Sequence, residues 1–186
     1  MHSGPIHERT ITVKTFEQED ETLLVEGTLV DDRLCKSYTY LRSALWDPRT
    51  IHNITAKMCI SIPDLIIKFV NTDMHEVPHQ ACRDIIHIGD KFIGVSLVRG
   101  FNDKIRQVLG GKSGCIHLYN LLISMRSAAF QGFYSYCFRV LEDGSFRKVD
   151  VDDSLIVNSC HVWRESGPFA QRLKEMKAAK RGRMKE

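Results

Sequence analysis

Ile51-His52-Asn53-Ile54-Thr55-Ala56-Lys57-Met58-Cys59-Ile60-Ser61-Ile62, then Pro63-Asp64, then Leu65-Ile66-Ile67-Lys68-Phe69-Val70-Asn71, is the stretch that decides the fold. Two runs rich in Ile, Met, Val and Phe flank a dipeptide suited to a tight turn, because proline presets φ and aspartate bonds nearby backbone. This reads as an antiparallel hairpin. On its N-terminal side, Ile6 to Phe16 and Thr22 to Val30 alternate apolar and polar residues around the acidic connector Glu17 to Glu21. The alternation predicts two more antiparallel strands, with Val25 and Leu29 on the buried face. Leu34 to Leu41 is a further extended segment, ended where Trp46-Asp47-Pro48 breaks regular pairing. The N-terminal half is therefore mainly strand, in an antiparallel sheet of about four or five strands.

Beyond Pro78 the spacing becomes helical. His79 to Ile88 predicts a short helix, Gly89 to Gly100 a connection with a buried Phe92-Ile93-Gly94-Val95 segment, and Asn102 to Leu109 a second helix stopped by Gly110-Gly111. Leu118, Leu121, Leu122, Met125, Ala129 and Phe133 recur at three- and four-residue spacing, which predicts a long amphipathic helix from about Cys115 to Tyr136 lying on the sheet. Glu142-Asp143-Gly144 reads as a turn, Asp150 to Ser154 as an acidic loop, and Pro168 as the start of a basic C-terminal helix. The class is α+β.

A chain of 186 residues with 43% hydrophobic content can bury one good core. Residues 1–170 are expected to form a single domain, with 171–186 as a basic tail. From Arg172 to Glu186 there are seven Lys or Arg against two Glu, so the body is near neutral although the whole chain carries +3. The tail offers a docking element for an acidic protein partner. Without interleaved aromatic residues it argues against nucleic acid. No run approaches the roughly 18–20 apolar residues of a membrane span, and Met1-His2-Ser3-Gly4-Pro5 lacks a basic-then-apolar signal. The expectation is a cytoplasmic protein off the membrane, its six dispersed cysteines reduced.

The chemistry concentrates at Gly114-Cys115-Ile116-His117. Free amides and the dipole at a helix N-terminus favour a thiolate, which can bind metal or attack an electrophile. Cys115 with His117 as its base is thus one candidate catalytic pair; a buried cysteine beside a capping histidine is the plain structural alternative. Cys82 and His52 also stand at element ends, where side chains converge, and sulfur with imidazole suits zinc or an iron-sulfur cluster. There is no Cys-x-x-Cys pair anywhere. Cys160-His161 reads as mainly structural, since neighbours point to opposite faces if that segment is extended. Cys35, Cys59 and Cys137 read as core. Gly110-Gly111-Lys112-Ser113-Gly114 lacks the spacing of a nucleotide phosphate loop. Its amides and Lys112 suit a small anion, although its simplest role is a flexible entry into the long helix.

With Ile6-His7-Glu8-Arg9, Leu29-Val30-Asp31, Ile51-His52, Cys82 and Gly114-Cys115-Ile116-His117-Leu118 in hand, the chain resembles a bacterial family known only as domain of unknown function 2889, over about residues 5–164. It departs from that pattern at Asn53 and Asn120, where carboxylates are common. The order of elements from His52 to Tyr136 is also similar to iron-sulfur cluster scaffold (NifU N-terminal-like) proteins. That likeness implies a metal-binding protein with His52, Cys82, Cys115 and His117 as ligands, the Cys2His2 set suiting zinc better than an all-thiolate cluster. The alternatives are a thiol enzyme built on Cys115 and an interaction module using the tail.

Overall fold

The computed structural model describes residues 4–40, 42–145, 149 and 151–183, the last five of these as backbone only. Leu41 of the expected third segment, Asp150 of the acidic loop and Met184 to Glu186 of the tail lie outside the described residues. Contacts divide the chain into two compact units, Met1–Lys148 and Val149–Glu186.

In the first unit, strands β1 (His7–Gln18), β2 (Thr22–Arg33), β5 (Arg49–Ser61) and β6 (Ile67–Glu76) form one antiparallel sheet in the order β1-β2-β5-β6. The α+β class and four-stranded antiparallel sheet follow the sequence pattern. β2 runs three residues past the expected Val30, which brings Asp31 into the sheet. Its alternation continues unbroken: Leu23, Val25, Gly27, Leu29 and Asp31 are all buried while their neighbours are half-exposed. The expected third strand is the clearest miss. Only Ser37–Tyr38 (β3) is extended there, paired with Leu45–Trp46 (β4) in a separate two-stranded ribbon. Stacking of Arg49, 4.9 Å from the Trp46 ring, holds that ribbon against the start of β5.

The hairpin between β5 and β6 forms as read, with Ser61 and Ile66 pairing across the turn at 2.9 Å. The segment expected to be an α-helix over His79 to Ile88 is instead a 3-10 run, Gln80–Phe92. Its side chains and backbone are committed to β6: Arg83 donates to the carbonyls of Met74 and His75, and Thr72 donates to the Ile86 carbonyl at 2.6 Å. The Ile86 carbonyl, taken by Thr72, is one that an α-helix would use for the amide of Asp90. Of the expected buried Phe92-Ile93-Gly94-Val95 segment, Phe92 is buried but Ile93 is exposed.

Helix α1 (Phe101–Leu109) leads into α2 (Ile116–Phe138), which crosses β1 and β2 with Leu118, Leu121, Leu122, Met125, Ala129 and Phe133 buried against them. Gly27 permits that crossing, since a Cβ there would lie 2.7 Å from the Met125 side chain. Cys137 is buried, while Cys35 and Cys59 are only half-buried. In the second unit, Asp152 caps a 3-10 turn (Asp153–Leu155), Cys160 and His161 lie in an exposed turn rather than a strand, and α3 spans Pro168–Arg183. Among the described residues no helix is long and apolar enough to cross a membrane.

The strap over β6 is tightest at Gly89, where an added Cβ would fall 1.8 Å from the Val70 carbonyl oxygen. Gly89→Ala is expected to cost about 2–4 kcal/mol in urea unfolding, because the methyl meets fixed backbone. Gly27→Ala meets the Met125 side chain, 2.7 Å away at Cγ and Sδ, rather than backbone, and should cost less because a side chain can repack. Equal losses would show that the strap yields as readily as a side chain.

Candidate functional site

Antiparallel register places Arg9 opposite Asp31 and Asp31 opposite His52, so three adjacent strands present one charged row on the core face of the sheet. A β-bulge between Asp31 and Asp32 interrupts pairing at that point, as bulges often do where a side chain is re-aimed. The start of α2 closes over the row and adds His117. It is held there by Gly114, whose Cβ would come within 2.4 Å of the Leu109 backbone. Any larger residue would push the helix start off α1.

Asp31 is the hub. Arg9 grips its carboxylate from Nε at 2.6 Å and Nη2 at 2.8 Å, a bidentate pair, and His7 Nε2 lies 3.2 Å from Oδ1. Both remaining imidazoles approach Oδ2: His52 Nδ1 at 3.1 Å and His117 Nε2 at 3.4 Å. The two rings stack with centroids 3.7 Å apart. His52 Nδ1 is buried and, despite its closeness to Asp31, makes no hydrogen bond of proper alignment. One nitrogen of His117 faces Asp31, and the other, Nδ1, lies 3.5 Å from Cys115 Sγ.

Burial alone would push the Asp31 carboxyl up, but its hydrogen bonds and charge contact with Arg9, aided by the nearby histidines, leave it below the usual carboxylate range. Burial lowers His52 despite the Asp31 charge. Burial, then the neighbouring His52, pushes His117 down to about 4. At neutral pH the cluster therefore holds an ionised carboxylate and two neutral imidazoles, the protonation states a metal ion requires.

The four residues singled out by sequence, His52, Cys82, Cys115 and His117, all line one cavity of about 570 Å³ between β5, β6, the 3-10 strap and the start of α2. They do not form a Cys2His2 set. Among the described residues, the group whose donor atoms lie within 4.8 Å of one another is Asp31, His52 and His117, with neither cysteine in it. Cys115 stands behind His117. Cys82 sits on the 3-10 strap, which β6 holds in place. Sequence reasoning missed Asp31 and Arg9 as site residues. The available signal was parity, since Asp31 continues the buried set Val25, Leu29 and puts a charge where the pattern calls for a hydrophobe.

Fold and site together define an α+β protein with a buried carboxylate and imidazole cluster opening on a cavity. A family model described as protein of unknown function (DUF2889) matches residues 7–131, and the chain belongs to that family. The match takes in the whole cluster. No curated protein and no solved structure matches the chain, so the likeness in element order to iron-sulfur scaffolds has no support.

The His117 shift has a definite consequence for the metal-free protein. Its folded value of about 4 lies below the ordinary 6.5, so the unfolded chain binds the extra proton. Stability is then complete above about pH 6.5 and falls as the pH drops toward about 4, by up to about 3 kcal/mol from this group. His117→Gln should flatten that slope in urea titrations at stepped pH. An unchanged slope would remove His117 as its source.

Proposed function

We propose that Asp31, His52 and His117 bind one divalent metal ion, such as zinc, with a coordination position open to the cavity. The observation that carries this reading is the spacing of the donors. Two ligands held at about 2.0–2.1 Å from one tetrahedral ion lie roughly 3.4 Å apart, and Asp31 Oδ2 stands 3.1 Å and 3.4 Å from the two imidazole nitrogens. The burial of His52 and its depressed basicity support the same reading, because a neutral imidazole is the form that ligates a metal. Three protein ligands plus a free position is the arrangement of catalytic rather than structural zinc, and two histidines with one carboxylate also suit ferrous iron. The ion would polarise a bound oxygen as a Lewis acid. Arg9 then serves to hold and orient the carboxylate, and Cys115 to fix the ring of His117 from its other nitrogen.

A thiol enzyme with Cys115 as nucleophile is the second reading, favoured by the 3.5 Å contact with His117 Nδ1. The electrostatics weigh against it. A histidine pushed down to about 4 is too weak a base to keep a thiol ionised at neutral pH. An iron-sulfur cluster fits less well still, because it needs several thiolates and only one lies against the cluster.

Chelator-treated protein should take up one equivalent of Zn²⁺ or Co²⁺ by calorimetry. His52→Ala and His117→Ala should each abolish stoichiometric uptake, Arg9→Gln should weaken it about 10-fold, and Cys82→Ala should leave it unchanged. A thiolate-to-metal charge-transfer band in the cobalt protein would instead restore the cysteine-containing set. Wild-type-like uptake by His117→Ala would sink the proposal.

A further inference from the structure

The two edges of the sheet are finished differently. β6 is covered by the 3-10 strap, which Arg83 and Thr72 fasten to it. β1, at the other edge, pairs with β2 in unbroken register over His7–Gln18 and contains neither proline nor glycine. α2 crosses it on the core face, with Gly132 against the Thr15 side chain. Among the described residues no backbone hydrogen bond reaches the outer side of β1. A protein that stays alone usually shortens, bulges or interrupts such an edge, because a straight row of free amides and carbonyls is a template for a further strand.

The charges on this strand say what the further strand is. Glu8 and Lys14 both project from the sheet face opposite α2, alternating with the half-buried Ile11, Val13 and Thr15 of the core face. Neither has an ion-pair partner among the described residues. Glu8 stands across the ladder from Asp32, a like charge that cross-strand pairing penalises. Lys14 stands across from Glu26, but Lys57 takes that carboxylate at 2.7 Å. Each is left in want of an opposite charge, and each has its outer flank open.

We propose that β1 pairs antiparallel with β1 of a second copy of this chain about a two-fold axis at Ile11, joining the two sheets into one. In that register Glu8 lies opposite Lys14 of the second copy, and the symmetry makes the contact twice. Thr10 meets Thr12, another favourable cross-strand pair. The row on the open face then runs Lys57, Glu26, Lys14, followed by Glu8 and Asp32 of the second copy, so the repulsion between Glu8 and Asp32 is offset from the outer flank. Neighbouring registers lose this match: an axis at Thr10 sets Glu8 against Thr12, and one at Thr12 sets it against Phe16. The overlap also ends at Thr15, clear of Glu17, which is bound to Arg139 at the end of α2. The pairing requires no metal.

The test is sedimentation of the full-length protein at stepped concentration, with amide hydrogen exchange read over β1. Wild type should form a dimer, and its β1 amides should exchange more slowly as the concentration rises. Glu8→Lys and Lys14→Glu each set like charges opposite one another at both symmetric contacts, so each should weaken the dimer at least about 10-fold. The double variant E8K/K14E restores opposite charges and should recover wild-type dimerisation to within roughly threefold. A wild-type protein that stays monomeric at every concentration would overturn the proposal, as would single variants that dimerise like wild type or a double variant that fails to recover. A dimer indifferent to the charge swaps but abolished by Phe69→Ser, on the open face of the sheet, would place the contact on that face and overturn the edge pairing.

Discussion

A carboxylate on the core face of a sheet is desolvated on folding, and it survives there only if charge and hydrogen bonds are returned to it. Asp31 is in that position, and the geometry of this end of the protein follows from meeting its demand. β1 supplies Arg9 directly across the ladder, β5 supplies His52 on the other side, and the first turn of α2 supplies His117 from above. Each partner also ties its own element to β2. The charged row is thus a structural clamp between three strands and a helix as much as a site, and a change at Asp31 would be felt in both roles.

The same clamp explains why a cavity lies beside it. The 3-10 strap is fastened to β6 by Arg83 and Thr72, and α2 is fixed to α1 through Gly114, so the walls cannot collapse onto the imidazoles. The strap also covers the β6 edge, turning a strand edge that would otherwise invite pairing into one wall of the pocket.

Much of this was legible in the residues. The β5-β6 hairpin, the β1-β2 pair and the face of α2 follow from period-2 and period-3.6 patterns, which report burial directly. His52 and His117 were recognisable because the pattern puts both at element ends, where side chains converge. What could not be read was set by tertiary contacts. Gln80 to Phe92 has a helical pattern, yet bonds from β6 wind it as a 3-10 run. Leu34 to Tyr40 has strand-forming residues, yet only Ser37 and Tyr38 find a partner. The cysteines drew attention as soft ligands, while Asp31 looked like the polar end of a strand. Only the register, which sequence spacing does not specify, shows that Asp31 faces two histidines and an arginine and that Cys82 stands on a separate wall.

The most direct test of this account is X-ray absorption at the zinc edge on protein reconstituted with one equivalent of metal. The account predicts a first shell of nitrogen and oxygen at about 2.0–2.1 Å, two of them imidazoles, and no sulfur at about 2.3 Å. A sulfur shell, or zinc without imidazole scattering, would contradict it.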